Sequence, residues 1–359
     1  MLKLAEWNRA VFVTGDRTWT VRDVILAAHF RGEAEPISRR LRAIEQHVEQ
    51  AGEGDGPDDD AVQEFSEQLR YDRDLITAEE TEQWLGERGL TLDDFNEHCL
   101  RRCWENMLGD ELESESSEDG SPAVELTDSL RGALFLSGEF DRMATRLSWR
   151  IAARNVAGVA ITREQIEAER GDFLERCKLD ESALSEWLAQ IGADARWLEE
   201  MVESESAYRG QRAAALTPVE LARTLHAMRI PLTRIAVETL DLESLDAARE
   251  ALLCVREDGD TMADVAQAGG YPHGQNEILL EDLPAELQQA FLSASPGDVL
   301  GPVEAGEGFQ LCRLIQKSEP DPVDAGVRER VERKILERHF SELASKCVRW
   351  MMLRMSPHD

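Results

Sequence analysis

Between Ala294 and Gln316 the chain reads "ASPGDVLGPVEAGEGFQLCRLIQ", and few folds admit such a stretch. Pro296-Gly297 requires a turn in which glycine takes a dihedral that other residues avoid. Pro302 has no amide to give to a ladder, so it is expected at a strand start. After Phe309 apolar and polar residues alternate, which is the period of a half-buried strand. The stretch predicts a pair of strands joined through Glu304 to Gly308.

The chain from Pro231 onward alternates strands and helices. "LTRIAVETL" (232–240) reads as a strand and "SLDAAREALLCVRED" (244–258) as an amphipathic helix. "GDTMADVAQAG" reads as a glycine turn and short helix, "YPHGQNE" as a loop, and "LPAELQQAFLSA" as a helix. Residues 323–353 read as one long helix with Val327, Val331, Ile335, Leu343, Cys347 and Trp350 on one face. A helix of that length with so narrow a stripe must lie across another module.

The first part of the chain is mostly helical. "AVFVTGDRTWTVRDV" (10–24) predicts a short β-hairpin turned at Gly15-Asp16, with helices following from Val21 to Phe30 and from Pro36 to Glu49. Thr77 with Glu80 forms a capping box, Gly89 stops that helix, and another helix runs from Leu92 to Leu108. The grammar recurs 103 positions further on, where Trp84 maps to Trp187, Leu85 to Leu188, Gly89 to Gly192 and Phe95 to Leu198. A duplicated helical hairpin is expected. "EFDRMATRLSWRIAARNVAG" (139–158) is a further helix with Phe140, Met143, Leu147, Ile151 and Val156 on its core stripe.

The fold class expected is therefore α+β. A mostly helical N-terminal module, with a short hairpin and the duplicated helical unit, precedes an α/β domain and a long C-terminal helix that packs back on the module. The boundaries expected are 1–110 and 123–228 for the two helical units, 111–122 for an acidic linker, 229–318 for the α/β domain and 323–355 for the helix.

Composition narrows the partners. The 359 residues are 42% apolar, enough for two or three domains, but 72 acidic residues stand against 40 basic ones. A net charge of -32 disfavours nucleic-acid backbones and anionic membrane surfaces. No run approaches the ~18 apolar residues of a membrane span. "MLKLAEWNRAVFV" has neither the basic nor the apolar region of an export signal, and six scattered cysteines suit a reducing compartment, so a cytoplasmic location is expected. His98, Cys99 and Cys103 offer neither a CxxC spacing nor a fourth ligand; no metal and no cofactor are expected. No hydrolase triad, phosphate loop or dinucleotide fingerprint rises above chance.

Pro296, Gly297, Val299, Gly301, Pro302, Val303, Gly308 and Phe309, with the pair Gly269-Gly270 and "LP" before the helix, resemble a parvulin-type (PpiC-like) peptidyl-prolyl isomerase domain over roughly residues 231–318. The surrounding helices are similar to those of SurA-type chaperones, in which helices from both chain ends make a peptide-holding module. The resemblance implies a concave, partly apolar peptide surface, to which Ile235, Val237, Met262, Leu283, Leu287, Phe291, Phe309 and Gln310 are assigned. It also implies a pair of histidines behind the site. "T-R-I" aligns Ile235 with the first and Phe309-Gln310 aligns Gln310 with the second, so both imidazoles are absent. Leu287 takes the place of a pocket Phe or Met, and Leu292, beside Phe291, that of the next Phe. His273 is the candidate for a substitute imidazole, and Gln310 alternatively is a solvent-facing residue of an edge strand.

Prolyl isomerisation crosses a barrier near ~20 kcal/mol by holding the proline and stabilising a twisted amide. Without the imidazoles no catalytic residue is assigned. The expected function is non-catalytic, chaperone-like binding of a peptide or unfolded protein segment, including the case of a helper that presents a specific precursor peptide to modifying enzymes. The alternatives are an active isomerase and an assembly protein that buries the groove in an oligomer.

Overall fold

A computed structural model describes residues 4–52, 55–109, 126–156, 161–306 and 308–352; the acidic linker expected at 111–122 lies outside them. The chain divides into two compact units, Met1–Ala213 with His339–Asp359, and Ala214–Arg338.

In the first unit α1 (Leu4–Trp7) leads into a hairpin of β1 (Ala10–Thr14) and β2 (Arg17–Thr20). Five helices follow among the described residues: α2 (Val21–Phe30), α3 (Glu35–Gln50), α4 (Asp59–Tyr71), α5 (Ala78–Glu87) and α6 (Leu92–Leu108). Five more repeat them: α7 (Asp128–Leu136), α8 (Glu139–Arg154), α9 (Arg163–Arg176), α10 (Glu181–Gln190) and α11 (Ala195–Ala215). Thr77 and Glu80 form the expected capping box, the Glu80 amide donating to Thr77 Oγ1 at 3.1 Å and the Thr77 amide to Glu80 Oε2 at 2.8 Å.

The duplication extends beyond the hairpin that the tryptophans mark. Left-handed residues recur at matching helix ends, Gly32 with Gly138, Asp74 with Lys178, and Gly89 with Gly192. The two halves also exchange their first helices. α2 packs along α8 of the second half, and Phe30 at its end stacks on Phe173 at 4.8 Å and meets Trp197 edge-on at 6.3 Å. Reciprocally, α7 packs along α6 of the first half. Arginines seal the exchange: Arg131 Nη1 of α7 donates to the Gly89 carbonyl at 3.0 Å, and Arg22 Nη2 of α2 to the Ile191 carbonyl at 2.5 Å. Both carbonyls lie at the glycine stop between the two helices of a hairpin, where the last turn leaves acceptors without partners. One continuous core results, and it runs through both halves.

The second unit contains α12 (Pro218–Ala227), β3 (Arg234–Leu242), α13 (Leu245–Leu253), a π-helical turn (Cys254–Asp258), α14 (Met262–Gly269), β4 (His273–Leu279), α15 (Ala285–Ser293), β5 (Val299–Ala305) and β6 (Gly308–Ser318). The strands form an antiparallel sheet in the order β4-β3-β6-β5. The burial pattern of β3 is near-continuous because both faces of the sheet are covered. α16 (Ala325–Cys347) begins in this unit, where Val327, Val331 and Ile335 pack with Leu232, as the sequence stripe anticipates.

From His339 the helix belongs to the first unit, where Phe340 stacks on Tyr208 at 4.5 Å and Trp149 at 5.9 Å. It ends at Cys347 rather than running to 353. The chain then turns extended as β7 (Val348–Trp350), completing a β2-β1-β7 sheet in which Trp350 packs on Phe12 at 5.2 Å.

Two further expectations are corrected. "YPHGQNE" is not a loop: His273 to Leu279 pair with β3 over seven residues without a bulge. Pro302 does not stand at a strand start but inside β5, at the irregularity between Leu300 and Val303 on the sheet edge.

Candidate functional site

Alternation assigns every residue of β3 and β6 to a face. Ile235, Val237, Thr239 and Asp241 share one face with Gln310, Cys312 and Leu314. α15 covers it with Phe291, fully buried, and with Leu287, half-buried, while Leu283, also half-buried, packs on it from the turn before the helix. Glu238, Leu240 and Leu242 share the other face with Phe309, Leu311 and Arg313, covered by α13 and α14 through Ala248, Ala251, Met262 and Ala266. The eight assigned site residues are therefore not one surface. Ile235, Val237, Leu283, Leu287, Phe291 and Gln310 lie on the first face, and Met262 and Phe309 on the second.

The register also separates the two positions that the resemblance aligns with histidines. Gln310 faces Asp241, whereas Ile235 faces Lys317 at the opposite end of the pairing. Six steps along the strand, roughly 20 Å, separate Ile235 from Asp241. Ile235 is thus not Gln310's counterpart; the neighbours of Gln310 on β3 are Asp241 and, diagonally, Thr239. β6 lies inside the sheet, so Gln310 is not on an edge strand either.

Gln310 is held at both ends of its amide. Its Nε2 donates to Asp241 Oδ1 at 2.6 Å, and Cys312 Sγ donates to its Oε1 at 3.2 Å. Burial, and then the charge of Asp241, push the Cys312 thiol up to about 11. That sulfur stays protonated at neutral pH and acts as a donor, not a nucleophile. Neither β3 nor β6 carries a histidine. The chemistry available on this face is hydrogen bonding and apolar contact.

Local sequence explains how the frame is positioned. Lys317 Nζ donates to the carbonyls of Leu292 and Ala294, both at 2.7 Å, and so caps the C-terminus of α15 from β6. Gln288 Nε2 ties the start of that helix to the Leu283 carbonyl at 2.7 Å. Gly301, at φ +114°, passes so close to β6 that a Cβ there would stand 2.8 Å from the Gln310 carbonyl oxygen. The glycine next to Pro302 is thus required by the close approach that sets Gln310's neighbourhood.

The second face carries a buried carboxylate. Glu238 is bracketed by His273 Nε2 at 2.7 Å and by the guanidinium of Arg313. His273, the candidate substitute imidazole, thus lies on the side away from Gln310. Asp241, Thr239, Cys312, Glu238 and Arg313 escaped the sequence assignment. Extending the alternation of β3 past Val237 places Asp241 beside Val237's face, and is the signal that finds it.

An open cleft of about 730 Å³ flanks the β5 edge, lined among others by Arg256, Asp260, Ser293, Asp298 and Arg313. None of the eight assigned residues lines it. Among the described residues no helix is long and apolar enough to cross a membrane.

No family model matches the chain, and no curated protein matches it. Solved structures do, and those below are of the peptidylprolyl isomerase PrsA and of SurA-like chaperones. One is the peptidylprolyl isomerase PrsA from Bacillus cereus, at a TM-score of 0.38 and 13% identity, covering 64% of this chain and 91% of that one. Another is PrsA from Bacillus anthracis, at a TM-score of 0.29 and 13% identity, covering 57% and 94%. A third comes from work on PEB4 and Cj1289, two SurA-like chaperones of Campylobacter jejuni, at a TM-score of 0.20 and 8% identity, covering 60% and 89%. With likeness at this level, function rests on the chain's own residues.

Proposed function

We propose that the protein holds extended peptide or unfolded-protein segments on the Gln310 face of its second unit and does not catalyse prolyl isomerisation. The observation that carries this reading is the amide at Gln310, locked between Asp241 and Cys312 on a face whose two central strands lack an imidazole. Apolar side chains of α15 and main-chain groups remain to hold a peptide, the ordinary means of extended-peptide recognition. Leu283, Leu287 and Gln310 are the half-buried members of the proposed surface; Ile235, Val237 and Phe291 form the buried layer beneath it, and Met262 and Phe309 support it from behind the sheet. The charge of -32 favours basic segments. In its narrower form the reading has a cytoplasmic helper that presents a precursor peptide to modifying enzymes.

Leu287 is half-buried at the rim of this face, so it can be changed without opening the core. A fluorescently labelled, reduced and carboxymethylated unfolded protein is expected to bind the wild type, and Leu287→Asp to weaken that binding at least tenfold with unit folding retained. Equal binding by both proteins would place the segment elsewhere. Binding absent from a wild type that sediments as an oligomer would favour an assembly role instead.

A further inference from the structure

The sheet of the second unit has two edges, and only one of them is blunted. β5 is broken by the irregularity between Leu300 and Val303, and Pro302 offers no amide. β4 is regular along its seven pairs with β3 and contains no proline. The edges of the other sheet, β2 and β7, have four and three residues. Natural sheets protect long regular edges, since a row of open main-chain groups accepts another strand.

The main-chain groups of β4 can be assigned. Leu280 N donates to the Thr233 carbonyl at 2.9 Å, and Asp241 N to the Pro272 carbonyl at 3.0 Å. Residues 272 and 280 therefore face β3, and alternation turns Gly274, Asn276 and Ile278 the same way. The amides and carbonyls of His273, Gln275 and Glu277 point outward. Among the described residues no backbone partner for them occurs elsewhere, and all three residues are exposed.

We infer that β4 is a strand-addition edge: an extended, proline-free, basic segment of a bound polypeptide pairs with His273, Gln275 and Glu277 as a fifth strand of the sheet. This rests on the peptide-holding reading and gives it a geometry. A basic segment is selected because the chain as a whole is strongly acidic; Glu277 on the edge is already held by Arg234 Nη1 at 2.7 Å. Main-chain pairing supplies affinity with little demand on sequence, which suits a holder of unfolded segments.

The test separates main chain from side chain. Proline is tolerated on an edge strand where its missing amide would face solvent, so Gln275→Pro with Glu277→Pro removes two outward donors while leaving the pairing with β3. The probe is an acetylated, amidated octapeptide alternating valine with lysine and threonine. The double proline variant is expected to bind it at least tenfold more weakly than Gln275→Ala with Glu277→Ala, at an unchanged melting temperature. Peptide at saturation is expected to slow amide exchange at His273, Gln275 and Glu277 in the wild type. A second double variant, Asn276→Pro with Ile278→Pro, removes inward donors and is expected to lower the melting temperature, which checks the assignment of the strand's two sides. Unchanged affinity in the outward proline variant, or exchange that peptide does not slow, overturns strand addition. If Leu287→Asp alone then abolishes binding of the unfolded protein, the peptide-holding reading survives that loss. If neither octapeptide nor unfolded protein binds the wild type, both fall. Concentration-dependent dimers that the outward prolines dissolve would assign the edge to a second copy of the chain and likewise overturn the inference.

Discussion

Replacing Phe30 by alanine is expected to remove roughly 3–5 kcal/mol of stability from the helical unit. Phe30 is 1% exposed and sits at the end of α2, against Phe173 and Trp197 of the other half, with the Arg176 guanidinium 5.9 Å above its ring. Truncation removes a large buried side chain and leaves a cavity in a core that the exchanged helices share. Both halves should therefore lose stability together. The eight tryptophans all fall within the first unit, so their fluorescence in a urea titration reports this unit alone. A single transition displaced to lower urea is expected. Two transitions, with only one displaced, would show that the halves fold independently.

Acidification is expected to weaken the same unit by several kcal/mol well before its surface carboxylates are protonated. His29 is driven down to about 4, chiefly by burial and then by Arg42; His98 to about 3, by burial and then by Arg102, Arg73 and Arg101. Both imidazoles thus stay neutral in the folded protein but take a proton in the unfolded chain below its ordinary value near ~6.5. Their neutral burial costs nothing above that pH. Stability is lost as pH falls from about 6.5 toward 4 for His29, and toward 3 for His98. At pH 5 the two together cost on the order of 4 kcal/mol. Glu169, raised by burial, works in the opposite sense and offsets part of this. Urea midpoints at pH 7.5 and pH 5 measure the drop. His29→Leu or His98→Leu is expected to remove about half of it, and a pH-independent midpoint in the wild type would refute the assignment.

Much of the architecture is legible because it is written in local grammar. Thr77 with Glu80, the glycine stops at Gly89 and Gly192, and the Pro-Gly frame around Pro296 and Gly301 act over a few residues, and each behaves as its neighbours dictate. α9 is harder to read, since its few apolar residues do not gather on one face and Phe173 alone among them is fully buried. The extent of the duplication is hidden because the halves agree in caps and turn dihedrals rather than in side chains, as Asp74 and Lys178 illustrate. β4 is the clearest case of tertiary context overriding composition: "HGQNEIL" has few β-formers, and its extension comes from pairing with β3.

The strand around Gln310 was legible in the sequence, and its register was not. The sequence around Gln310 announces a strand without an imidazole, and the strand is there. What stands opposite it depends on how far β3 slides along β6, and a strand's own residues do not fix that. Nine consecutive residues of β3 could each have faced Gln310. The structure selects Asp241, turning an inferred isoleucine–glutamine pair into a hydrogen-bonded aspartate, glutamine and thiol.

The central claim is that this face holds peptide without turning over its prolyl bond. Exchange spectroscopy on a proline-containing peptide, with the protein present below the peptide's concentration, measures binding and isomerisation in one sample. The expected result is line broadening from binding, with cis–trans exchange remaining on the uncatalysed timescale of roughly 10–100 s at 25 °C. Exchange accelerated as an ordinary parvulin accelerates it would contradict the account, and would require a catalytic group other than the imidazole pair.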